Sequence, residues 1–75
     1  MKELEIKNSS NLKKATFDDQ TNELVVEFRN GTKYKYFDVP NEIFNEFAKT
    51  VNEDGSAGKF FNANIKSYRF EKVED

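Results

Sequence analysis

NGTKYKYFDVP, residues Asn30 to Pro40, is the stretch whose reading decides the fold. It holds a turn, two tyrosines around a lysine, a phenylalanine and a proline. "LVVEF" (24–28) precedes it, with Leu24, Val26 and Phe28 alternating against Val25 and Glu27. "TKYKYF" (32–37) alternates in the same way, so the two runs read as a β-hairpin over 24–37. The turn length sets the register. A two-residue Asn30-Gly31 turn puts the tyrosines on the face of Val25 and Glu27. A three-residue turn, Arg29-Asn30-Gly31, pairs Phe28 with Thr32, Val26 with Tyr34 and Leu24 with Tyr36. Only the second gathers the large apolar groups on one side, and a one-residue slip would flip every side chain. Tyr34 and Tyr36 are therefore expected to line the core, with hydroxyls that need partners at the sheet edge. The opposite face is expected to carry Val25, Glu27, Arg29, Lys33, Lys35 and Phe37.

Outward from the hairpin, residues 11–17 (NLKKATF) read as a first strand, and DDQTNE as a turn cluster. Pro40 is expected to open a long helix over 40–51. In it Ile43, Phe44, Phe47, Ala48 and Val51 form one apolar stripe. Asp38, Glu42 and Glu46 favour its N-terminal dipole. NEDG (52–55) ends it. Ser56 is expected to cap a short second helix over 57–64, with Phe60, Phe61 and Ile65 inward. Lys66–Val73 is a candidate C-terminal strand, with Tyr68 and Phe70 on one side. The expected class is α+β: a small antiparallel sheet packed against one long and one short helix.

The composition fits this picture. The chain has 75 residues, which predicts a single domain over 1–75 with modest stability. Apolar residues are only 36%, but eight phenylalanines and three tyrosines can fill a compact core. Cysteine and histidine are both absent, which removes disulfides, thiol chemistry and a structural zinc site. No apolar run is long enough to span a membrane, and MKELEIKNSS lacks the apolar core of a signal peptide. A free-standing cytoplasmic protein is the expectation.

An ordered series of residues resembles the KTSC domain family, named after the C-terminal domain of some lysyl-tRNA synthetases. It runs from Ser9-Ser10 and Phe17-Asp18 through Leu24-x-Val26-x-Phe28 and Gly31 to Tyr34-Lys35-Tyr36 and Val39-Pro40. It closes with Ser56-x-Gly58-Lys59-Phe60-Phe61-Asn62, Ile65-Lys66 and Tyr68. The series covers about residues 9 to 70, and the stretch between Phe47 and Ser56 is a few residues longer than the family pattern. The resemblance implies a bacterial or phage protein. Through the synthetase connection it implies RNA as a ligand. It also implies structural roles for Ser9, Ser10, Gly31, Tyr34, Tyr36, Pro40, Gly58, Phe61 and Asn62.

The residues themselves argue against an enzyme. No histidine or cysteine is present to act as base or nucleophile, and no catalytic residue, metal site, cofactor or small-molecule substrate is expected. Ser9 and Ser10 read as a turn or cap beside the first strand. Asp18-Asp19 lacks the calcium-loop alternation. GSAGK (55–59) has the wrong spacing for a phosphate loop.

Charge patterning is more informative than the net charge of −2. Residues 17–28 carry four acids and no base. Residues 29–37 carry Arg29, Lys33 and Lys35 and no acid. Residues 38–54 are acidic, with Asp38, Glu42, Glu46, Glu53 and Asp54 against Lys49. Residues 55–70 carry Lys59, Lys66 and Arg69 and no acid. Two non-enzymatic readings follow. In the first, a basic sheet face binds RNA or another nucleic acid through Arg29, Lys33, Lys35, Lys59, Lys66 and Arg69, with Tyr68, Asn62 and Asn64 nearby. In the second, a bacterial or phage accessory factor docks on a protein partner through its acidic helix face or a sheet edge. An acidic pI of about 5.2 weighs against the first. Lys33 and Lys35 also serve equally well to solubilise an exposed face, with Glu27 opposite Lys33.

Overall fold

The computed structural model describes residues 1–7, 9–53 and 55–73; Asp54, one of the acids counted above, lies outside them. Five strands form one antiparallel meander in the order β1-β2-β3-β4-β5. They are β1 (Lys2–Glu5), β2 (Leu12–Asp18), β3 (Glu23–Phe28), β4 (Lys33–Tyr36) and β5 (Phe70–Val73). Between β4 and β5 lie helix α1 (Asn41–Asn52), helix α2 (Ala57–Phe60) and a π-helical turn, Phe61–Ile65, that continues α2. The class is α+β, as expected.

The central hairpin adopts the three-residue turn. The Phe28 amide donates to the Thr32 carbonyl at 2.8 Å, and Gly31 takes a left-handed φ of 92°. Leu24 pairs with Tyr36 and Val26 with Tyr34. Hydrophobic burial thus chose the register, because the alternative would have turned these rings to water. The other strands extend the same face: Leu4 pairs with Ala15, Ala15 with Val26 and Phe17 with Leu24. Ala15, Phe17, Leu24 and Val26 are fully buried.

Both helices cover this face. Phe44 of α1 stacks on Phe17 at 4.9 Å between ring centres, and Phe47 stacks on Phe60 at 5.5 Å. Phe61 meets Phe28 and Tyr36 edge-on, at 5.7 and 5.5 Å. A core built from rings in stacked and edge-to-face contact buries much area with few residues. That is how a chain with so little apolar content closes a core.

Several boundaries differ from expectation. β1 was not anticipated; Leu4 and Ile6 alternate with charges and are buried. Pro40 is the residue before α1 rather than its first turn. Its ψ of 146° is extended, and its carbonyl accepts from the Ile43 and Phe44 amides. The second helix changes to π geometry at Phe61, where the Lys66 amide reaches back to the Phe61 carbonyl at 2.9 Å. The C-terminal strand is shorter than 66–73. Tyr68 precedes it, half-buried against the core. Ser56 does cap α2, its hydroxyl accepting from the Lys59 amide at 3.2 Å.

The two tyrosines divide. Tyr36 is 4% exposed and belongs to the core, whereas Tyr34 is half-buried. Burial, with a smaller contribution from Tyr34, pushes the Tyr36 hydroxyl up to about 12. Among the described residues no buried side-chain nitrogen or oxygen lacks a hydrogen-bond partner.

Candidate nucleic-acid interface

The sheet face away from the helices is not a basic surface. Register places Glu5, Lys14, Glu27, Lys33 and Val73 in one row across the five strands. The next row is Glu3, Thr16, Val25, Lys35 and Glu71. Each lysine of the hairpin therefore faces an acid on a neighbouring strand: Lys33 opposite Glu27 and Lys35 opposite Glu71. Lys13, in a bulge at the start of β2, adds its ammonium at 3.7 Å from Glu27, and Lys14 lies 4.0 Å from Glu3. Opposite charges alternating across strands stabilise a sheet by a few tenths of a kcal/mol to about 1 kcal/mol per pair, and they cancel its far field. The expected basic sheet face is corrected on this ground. The acids that neutralise it come largely from β1 and β5, strands outside the hairpin. Arg69 is engaged as well, its guanidinium 4.7 Å from the centre of the Phe37 ring.

The residues expected to bind thus fall into separate groups. Lys33, Lys35 and Arg69 stand with the charge-laced face. Tyr68 packs against the core. Asn64 turns its amide back to the Phe60 carbonyl at 3.3 Å. Lys59, Asn62 and Lys66 belong to the helical run, and Arg29 stands at the sheet's end, lining a hollow with Glu3 and Glu5 in one direction and a cleft on the helix side in the other.

At the hairpin end of that side is a cleft of about 250 Å³, lined by Ser10, Asn11, Leu12, Phe28, Arg29, Asn30, Gly58, Phe61 and Asn62. Three chain segments build it. The first is the entry to β2. There the Ser9 hydroxyl accepts from the Asn11 and Leu12 amides at 3.2 and 3.1 Å, turning the chain so that Ser10 and Asn11 form one wall. The second is the hairpin turn, where the Asn30 side-chain oxygen accepts from the Thr32 amide at 3.0 Å. The third is α2 with its π turn, which brings Gly58 and Asn62 to the opposite wall. Single π turns in helices are frequent at functional sites, because the wider turn re-aims the residues it carries.

Arg29 ties two of these segments together. Its backbone amide donates to the Asn11 carbonyl at 2.8 Å. Its Nε donates to the Ser9 carbonyl at 2.6 Å, and a terminal nitrogen donates to the Ile6 carbonyl at 2.9 Å. A guanidinium has five N–H donors, so the group is pinned while donors remain. No carboxylate among the described residues pairs with it. None of the described lining residues is acidic. Lys59 and Lys66 stand three and four residues from Asn62 on the same helical run, which makes them its neighbours on that surface. The two acid-free segments of the sequence, 29–37 and 55–70, thus do meet in space. They meet through Arg29 and the second helix, at the hairpin end of the sheet.

Gly58 is the least obvious member. It sits in the first turn of α2, where alanine would favour the helix by up to about 1 kcal/mol. A Cβ added there would meet no atom within 4 Å. Neither packing nor backbone geometry therefore asks for glycine. By contrast, a Cβ on Gly55 would come within 2.9 Å of Thr50 Cγ2 and 3.0 Å of its carbonyl oxygen. Sequence reasoning placed Gly58 and Asn62 in a motif but did not see the wall formed by Asn11 and Asn30. The signal was there in the Ser-Ser-Asn turn and the Asn-Gly hairpin, but nothing in the sequence brings these turns together.

Comparison with known proteins agrees with this architecture. The family model of the KTSC domain matches residues 8–70. The crystal structure of a KTSC domain protein from Yersinia pestis is similar, with a TM-score of 0.82 and 27% sequence identity, over 97% of each chain. No curated protein matches the chain.

Proposed function

The chain belongs to the KTSC domain family, and on that premise we propose that it is a non-enzymatic module that binds single-stranded nucleic acid, RNA foremost, at the helix-side cleft. One observation carries the reading. Arg29, pinned by carbonyls rather than by a carboxylate, lines a cleft with Asn62 whose described lining holds no acid, and Lys59 and Lys66 lie three and four residues from Asn62 on the same helical run. Cations with no acid partner among the described residues, around a groove with an aromatic floor, suit a phosphate chain whose bases are unstacked. The Phe28 ring supplies that floor, and the side-chain amides of Asn11, Asn30 and Asn62 supply donors and acceptors for base edges.

The test is the salt dependence of binding to a fluorescent single-stranded oligoribonucleotide, for wild type and for Lys59→Glu with Lys66→Glu. Wild type should lose affinity steeply with salt, and the double reversal should bind weakly with a shallower slope. Binding that ignores salt, or that survives the reversal unchanged, would remove the proposal. The alternative, docking on a protein, draws on a different surface: Glu42 and Glu46 lie exposed on α1, near its N-terminus. It predicts a partner whose binding ignores the Lys59 and Lys66 reversals.

A further inference from the structure

We infer that the cleft takes one unstacked nucleobase, and that Gly58 is the residue that keeps the space for it. This rests on the nucleic-acid reading above and refines it. Two features of the lining separate a base from a phosphate. First, the described lining holds a single cation, Arg29, against four neutral polar side chains: Ser10, Asn11, Asn30 and Asn62. A phosphate site would be expected to gather several cations or backbone amides. Neutral amides and a hydroxyl present both donors and acceptors, which is what the edge of a base requires. Second, the inner lining is made of rings. Phe28 and Phe61 stand edge-to-face at 84° and 5.7 Å, and Leu12 lies beside them. A planar heterocycle fits an aromatic floor and polar rim; a tetrahedral anion gains nothing from the floor.

Gly58 gives the argument its handle. Gly58 is part of the cleft's wall, and beyond its chain neighbours and its own helix backbone an added Cβ would meet nothing within 4 Å. Any side chain there would extend into the volume the base needs. A larger residue should therefore leave the fold intact and block the ligand, which is the reverse of what a structural glycine does. Arg29, held at the rim by two carbonyls, is placed to meet the phosphate attached to that base.

The experiment compares short single-stranded oligoribonucleotides of each base with an abasic strand of the same length, by fluorescence anisotropy. Wild type, Gly58→Ala and Gly58→Leu are tested, with thermal melts of all three. The base-bearing strand that binds best should bind wild type about tenfold more tightly than the abasic strand. Gly58→Leu should reduce that affinity to the abasic level while its melting temperature holds. Gly58→Ala should melt at or above wild type and bind with intermediate affinity. If wild type binds base-bearing and abasic strands alike, contact is with the backbone alone and the base-binding cleft is refuted while nucleic-acid binding stands. If Gly58→Ala binds as wild type does, the role of Gly58 is refuted. If wild type binds no strand, the functional reading itself fails and this inference falls with it.

Discussion

Replacing Tyr36 by alanine removes a ring that is 4% exposed and touches Phe61 and Phe70 at 5.5 and 5.6 Å. Truncating a buried aromatic costs about 3–5 kcal/mol, because the transfer free energy is lost and the surroundings collapse only partly. Tyr34 is half-buried, edge-on to Phe28 and Phe70. Its truncation should cost about 1–2 kcal/mol, since much of its area is already wet. A chain of 75 residues has a total stability of about 4–11 kcal/mol. Tyr36→Ala therefore leaves the domain marginal, and Tyr34→Ala does not. At about 4–8 °C per kcal/mol, the first should lower Tm by roughly 12–40 °C and the second by roughly 4–16 °C. Far-UV circular dichroism during thermal and urea unfolding reads both. Equal losses, or a larger loss for Tyr34, would refute the hairpin register and the placement of the helices over it.

Gly31→Ala should destabilise by about 1–2 kcal/mol in the same assay, because φ of 92° is strained for any residue with a Cβ. Stability should fall as pH rises from 10 towards 12. The Tyr36 hydroxyl, raised to about 12 in the fold, holds its proton there while the unfolded chain gives one up. Tyr36→Phe should flatten that alkaline limb, and an unchanged limb would assign it to other groups. Lys33→Glu with Lys35→Glu sets carboxylates against Glu27 and Glu71, so it should cost about 1 kcal/mol and leave oligonucleotide binding intact.

The hairpin was legible because alternation and turn chemistry in residues 24–37 agree with burial, and together they fix the register. The stripe of α1 was legible for the same reason: Phe44 and Phe47 recur at helical spacing. β1 was not, although Leu4 and Ile6 alternate with Glu3, Glu5 and Lys7. Such a short run becomes a strand only because β2 offers it an edge and the core offers those two side chains a place. Pro40 was misplaced by one position because proline suits both sides of a helix start, and only its ψ separates them. The π turn at Phe61 has no local sequence signature.

The candidate site shows the same limit more sharply. Charge blocks along the chain correctly marked 29–37 and 55–70 as acid-free, but Lys33 and Lys35 meet acids on neighbouring strands, whereas Arg29 reaches the Ser9 and Ile6 carbonyls at the hairpin end. Glu5 and Glu71 then neutralise what the hairpin alone would present. An electrostatic surface is a property of neighbouring strands, and it becomes readable only once the strand order is known.

The most direct test is a map of backbone and side-chain amide chemical shifts as a single-stranded oligoribonucleotide is added to the labelled protein. The account predicts shifts at Ser10, Asn11, Asn30, Gly58 and Asn62, including the side-chain amides, with Thr16, Val25, Lys33, Lys35 and Glu71 undisturbed. Shifts confined to those sheet residues, or to the exposed face of α1, would contradict it.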